Sequence, residues 1–94
     1  MGSTRKGGRD LQKAAKTKSV TREMDRYFRE HPGSASAIRR PRIYSSGPTF
    51  VALLGTDFQT GIAGLGRTVA AALRAFDSRY EFMAQAAYRK LVAQ

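Results

Sequence analysis

The chain has 94 residues and a formal charge of +10, from 17 Lys plus Arg against seven Asp plus Glu, with one His, no Cys and no Trp. That length suits one small domain and excludes a large multi-part enzyme. Without Cys there is no disulfide framework or thiolate zinc site, and one His forms no metal-binding pair, so neither metal nor cofactor is expected. The longest apolar run, Phe50 to Leu54, is too short to cross a bilayer. No apolar block follows the basic start as a secretory signal requires, so the expectation is a cytoplasmic protein with no membrane partner.

Twelve of the basic residues and four of the acids precede Ile43, a net +8 against +2 for the remainder. Residues 1–18 hold Arg5, Lys6, Arg9, Lys13, Lys16 and Lys18 against Asp10 alone, with only Leu11, Ala14 and Ala15 to bury. Such a stretch cannot offset the roughly 1–2 kcal/mol per residue needed to order its backbone, and it reads as a mobile basic arm. A run of this kind also serves simply to keep a chain soluble.

From Ser19 to His31 the pattern changes. Val20, Met24, Tyr27 and Phe28 recur at helical spacing and Pro32-Gly33 close the segment, which predicts a short amphipathic helix with Ser19 as its N-cap. Its outward face carries Arg22, Arg26 and Arg29. The small, uncharged run Gly33–Ala37 reads as a linker leading to Arg39-Arg40-Pro41-Arg42, a second basic cluster. Arginine suits phosphate oxygens as a planar fork.

Residues 42–94 read as the folded domain. Arg42–Ser45 and Thr49–Leu54 predict two strands joined by Ser46-Gly47-Pro48; Gly55-Thr56-Asp57 makes a further turn, and Ile62 with its glycine neighbours supplies a short third strand. A long helix follows, N-capped by Thr68. Val69, Leu73, Phe76, Tyr80, Met83, Ala87 and Leu91 form its core stripe, while Phe82 and Tyr88 lie outside it and mark a second contact surface. Two or three strands cover only part of such a helix, so a homodimer or a protein partner is expected there.

Gly61 to Thr68 admits two readings. Its spacing is that of a phosphate loop, Gly, four residues, Gly, a basic residue and Thr, but with Arg67 in the lysine position. Guanidinium is no equivalent of the compact ammonium, and about 50 residues cannot hold the several ~30-residue βαβ units of a nucleotide hydrolase. The second reading rests on Gly66, Thr68, Ala72 and Leu73. These resemble the strand-to-helix junction of the HicB-like family, in which a strand ends in Gly-x-Thr and the next helix opens x-x-Glu-Ala-Leu. The resemblance spans roughly Arg42 to Tyr80, with Ala71 standing where the family has the capping-box Glu. It implies a small strand-strand-helix fold and, from the family, an antitoxin-like role against a small ribonuclease; members often add a DNA-binding domain, not expected here.

No hydroxyl, carboxylate or imidazole is spaced for catalysis, since His31 beside Pro32 has no paired nucleophile and Asp77 with Glu81 is an ordinary helix-surface pair. The reading is therefore a non-enzymatic α+β protein. It comprises a basic arm (1–18), a short helix and linker (19–41), and an antiparallel meander with a long helix (42–94). Charge segregation of this kind predicts binding to nucleic acid, DNA or RNA, with little sequence preference. The contact residues are the twelve cations Arg5, Lys6, Arg9, Lys13, Lys16, Lys18, Arg22, Arg26, Arg29, Arg39, Arg40 and Arg42. The alternative is a protein-interaction module, antitoxin-like or an assembly subunit, docking through the C-terminal helix.

Overall fold

A computed structural model describes residues 18–93. The predicted arm lies outside these residues, apart from Lys18, which is already helical. Helix α1 covers residues 18–30, so Ser19 sits inside the helix and is not its N-cap. Tyr27 and Phe28 are its buried residues, with Val20 and Met24 packed beside them at the helical period. The helix stops where Pro32 disfavours the α conformation of the residue before it. The last turn closes through the His31 N–H donating to the Tyr27 carbonyl, 2.8 Å.

The segment read as a linker is instead a short helix, α2, Ala35–Arg39. Small residues give no amphipathic signal, and this helix is held by its caps. The Ser34 hydroxyl accepts from Ala37 N–H at 3.2 Å, and Arg40 closes the far end in the left-handed region with φ 53°. Ser36 is fully buried.

Three strands follow as an antiparallel meander in the order β1-β2-β3: β1 Arg42–Ser46, β2 Thr49–Leu54 and β3 Ile62–Gly66. Ser46 pairs with Thr49, so the hairpin loop is Gly47-Pro48. Gly47 has φ 60°, as the first central position of a type II′ turn demands, and proline fixes the second. Side chains alternate across β2: Phe50, Ala52 and Leu54 face the core, while Val51 and Leu53 are buried on the opposite side, in register with Tyr44 and Leu65 and with Arg42 and Ala63.

Helix α3, Val69–Ala93, runs over the inner face. Thr68 caps it, its hydroxyl accepting from Ala71 N–H at 3.0 Å and its carbonyl from Ala72 N–H at 3.0 Å. Val69, Ala72, Leu73 and Phe76 are fully buried and join Tyr27, Phe28 and Ala52 in one cluster. The first helix therefore shares the core of the strand-helix unit. The predicted core stripe holds only as far as Tyr80. Met83, Ala87 and Leu91 are exposed, because a helix about 37 Å long overhangs strands of roughly 17–20 Å.

The glycines that match the phosphate-loop spacing belong to this packing. Residues 62–66 pair along their whole length with β2, from Leu54↔Ile62 to Phe50↔Gly66. A side chain on Gly64 would strike the Phe76 amide nitrogen and the Ala72 carbonyl, and one on Gly66 the Ala71 methyl and the Ala72 nitrogen. Absence of Cβ at these two positions lets strand and helix touch backbone to backbone. The segment is the edge strand of the sheet, paired with β2 on one side and pressed against α3.

Candidate nucleic-acid interface

One carboxylate adds a polar tie to the apolar packing of α1. Asp77 reaches from α3 to accept the Tyr27 hydroxyl at 2.6 Å, the Ser36 backbone N–H at 2.7 Å and the Ser36 hydroxyl at 3.2 Å. It thus ties α1 to α3 and caps the second residue of α2 from outside the helix. Burial of the phenol, together with its hydrogen bond to the Asp77 carboxylate and that group's negative charge, pushes the Tyr27 hydroxyl up to about 12; Arg74 opposes this in part. Sequence reasoning missed this role by treating Asp77 with Glu81 as a surface pair. The available signal was its place between Phe76 and Tyr80, at the border of the apolar stripe.

With α1 held by Tyr27 and Phe28, its opposite face is turned to solvent. At about 100° per residue that face carries Arg22, Arg26 and Arg29, with Lys18 at its margin. All four are exposed. Arg26 donates to Glu30 at 3.1 Å in an i,i+4 pair whose side chains are 79% and 56% exposed. Such a solvated pair contributes at most about 1 kcal/mol. Lys18, Arg22 and Arg29 have no carboxylate partner among the described residues.

The side chains of Arg39, Arg40 and Arg42, all exposed, diverge. Arg40 turns toward α1, its guanidinium 5.2 Å above the Phe28 ring, where it lines a shallow groove with Arg29 and Asp25. Arg39 turns the other way, its Nε donating to the Tyr80 hydroxyl at 3.0 Å with the guanidinium 5.8 Å over the same ring. Arg42 donates through Nη2 to the Gly55 carbonyl at 3.0 Å, fastening the start of β1 to the loop after β2. Proline fixes its own φ and biases the residue before it away from α, and Arg40 here is left-handed, so successive arginines leave the chain in different directions. The arrangement joins Arg40 to the α1 row and sends Arg39 and Arg42 to structural contacts. Arg5, Lys6, Arg9, Lys13 and Lys16 lie outside the described residues.

Two other features of the surface are less suited to an anion. A cleft of about 240 Å³ between α1 and the start of α3 is lined by Arg26, Arg74 and His31, but also by Glu23 and Glu30. Its charges largely cancel. The 55–61 loop is closed on itself: Asp57 Oδ1 accepts from Gln59 N–H, Thr60 N–H and the Thr60 hydroxyl at 2.9, 2.9 and 3.0 Å. The Thr60 backbone and side-chain bonds, aided by Gln59, hold the Asp57 carboxyl below the usual carboxylate range despite slight opposing desolvation. Among the described residues no three His, Asp or Glu side chains converge as a metal-ligand set, and no helix is long and apolar enough to cross a membrane.

Comparison of the chain with protein-family models, with curated proteins and with solved structures gives no match.

Proposed function

We propose that this chain is a cytoplasmic, non-enzymatic protein that binds nucleic acid through phosphate contacts with little sequence preference. The observation that carries the reading is the row Lys18, Arg22, Arg29 and Arg40, four cations on one solvent face without a carboxylate partner. Of the neighbouring acids, Glu30 pairs with Arg26 and Asp77 turns into the core, which leaves Asp25, beside Arg29 and Arg40 in the groove, as the one carboxylate among these cations. Lys18 to Arg29 spans about 16 Å of helix, roughly five phosphates of one duplex strand at ~3.4 Å each. Guanidinium groups on a rigid helix lose less freedom on meeting phosphates than the same groups on a coil. The five cations of residues 1–17 add to the same field. Arg40 rests on the Phe28 ring, while Lys18, Arg22 and Arg29 extend from an exposed helix face as phosphate contacts do, so the proposed contacts position without specifying.

The HicB-like resemblance enters as a proposal of kinship in fold alone. The junction that carries it, Gly66 through Thr68 into Val69, is a strand end and a helix cap, which bears on no toxin.

The test is binding of the full chain to a 20-bp duplex, a single strand, an RNA hairpin and polyglutamate across a salt titration. We expect duplex affinity to fall with a logarithmic slope of about −0.9 per phosphate contacted, and to vary little between sequences. Arg22→Glu with Arg29→Glu should weaken binding at least tenfold and flatten that slope by about two. No binding to any nucleic acid at ~50 mM salt overturns the proposal. Equal affinity for polyglutamate assigns the surface to acidic protein and overturns it as well.

A further inference from the structure

Beyond Tyr80, α3 leaves the sheet. All thirteen residues from 81 to 93 are exposed, yet nine of them are Phe, Met, Ala, Tyr, Leu or Val. Phe82, Tyr88, Leu91 and Val92 are 65%, 68%, 73% and 65% exposed. This stretch combines the composition of a covered helix with the accessibility of a bare one. At about 3.6 residues per turn, Met83, Ala84, Ala87 and Leu91 continue the line of Val69, Leu73, Phe76 and Tyr80 that is buried in the domain. Arg79 and Lys90 flank that line on one side. Glu81, the acid of the segment, lies on the other. Neither cation has a carboxylate partner among the described residues; Arg79 rests 5.9 Å from the Phe82 ring centre.

We propose that the overhanging half of α3 is the docking site for an amphipathic helix of a different, acidic protein. Its apolar stripe lies along Met83, Ala87 and Leu91, and its carboxylates meet Arg79 and Lys90. The alanines at 84 and 87 are small enough to let two helices approach to about 8–9 Å. Charge selects this occupant over a second copy. An antiparallel copy sets each helix flank against its own equivalent, so the flank of Arg79 and Lys90 would face the same two cations of the second chain. A contact about 20 Å long is at the small end of stable interfaces and makes a reversible complex.

The probe is a fluorescein-labelled three-heptad peptide with leucine at its two core positions and glutamate on its flanks. Its controls are a scrambled peptide of the same composition and the same heptads with lysine for glutamate. Anisotropy with the full chain should show saturable binding of the acidic heptad peptide, at least tenfold weaker binding of both controls, and no displacement by duplex DNA. Met83→Gln with Leu91→Gln, and separately Arg79→Glu with Lys90→Glu, should each weaken it at least tenfold. These positions lie outside the buried cluster, and an unchanged thermal transition and helical circular dichroism will show that the variants fold. Equal binding of the scrambled peptide, unchanged binding by the Gln variants, or no binding of any peptide overturns the proposal. So does sedimentation showing a dimer that Leu91→Gln abolishes, which assigns the face to a second copy.

Discussion

Gly64→Ala tests the account of the glycine-rich segment directly. A Cβ at this position would meet the Phe76 amide nitrogen and the Ala72 carbonyl at less than contact distance, with Phe76 Cα 2.7 Å away. All three are helix backbone, so no side chain can rotate aside. β3 and α3 must separate by about 1 Å, which loosens Ala72, Leu73 and Phe76, each fully buried. Overpacking typically costs about 1–3 kcal/mol, and rigid backbone on both sides places this variant at or above the upper end, about 3 kcal/mol. A unit of this size has about 4–11 kcal/mol in total at ~0.05–0.15 kcal/mol per residue. Urea denaturation, with m near ~1 kcal/mol/M for so small a unit, should therefore move its midpoint down by about 3 M. Gly33→Ala is the control, because a Cβ there meets nothing within 4 Å; it should be neutral or slightly stabilising through the unfolded chain. A Gly64→Ala midpoint within the equivalent of about 0.5 kcal/mol of wild type would refute the close-packing argument. It would return these glycines to the loop reading, in which the variant folds normally and loses only a ligand.

Asp77→Ala leaves the Tyr27 hydroxyl and the Ser36 N–H without their acceptor, and should destabilise by about 3 kcal/mol, with Asp77→Asn milder at about 1. A double-mutant cycle with Tyr27→Phe should show coupling of at least ~1 kcal/mol, and additivity of the two changes would show that the 2.6 Å contact contributes nothing. Stability should also fall at alkaline pH. Tyr27 is raised from 10.0 to about 12 in the folded protein, so its contribution is complete below about pH 10. Above that the unfolded chain loses the proton first, and the contribution disappears as pH rises through about 12. Allowing for solvent near the hydroxyl, the drop attributable to Tyr27 is about 1–2 kcal/mol, read as the difference between wild type and Tyr27→Phe in urea midpoints at pH 8 and pH 11. An identical pH profile for the two proteins would refute it.

Local patterns in this chain carry a large share of the fold. Alternating and bulky apolar residues around Gly47-Pro48 place both hairpin strands to within a residue, because a glycine with positive φ followed by proline admits few turns. Thr68 before Val69 marks the start of α3 through a hydroxyl that satisfies an orphan N–H. α2 was not legible. Its residues carry no periodicity, and its stability comes from the Ser34 hydroxyl and from Asp77, 41 positions further along the chain from Ser36.

The candidate interface divides in the same way. The helical spacing of Val20, Met24, Tyr27 and Phe28 is enough to turn Arg22 and Arg29 outward, since burying one face of a helix exposes the other. No local rule separates Arg40 from Arg39 and Arg42. Their directions follow from the left-handed turn at Arg40 and from partners distant in sequence, Tyr80 for Arg39 and the Gly55 carbonyl for Arg42.

Composition and periodicity by themselves determined the excess of positive charge, the order of helix, meander and long helix, and the outward row of α1, because each depends on residues within a few positions of one another. Tertiary structure alone decided three things. It pressed Gly64 and Gly66 of the third strand backbone to backbone on α3, it drew Asp77 into the core, and it set the point, after Tyr80, at which the cover of the α3 stripe ends. In each case the deciding quantity is a distance between elements, whether the approach of two backbones, the reach of a carboxylate or the length of a sheet against the length of a helix.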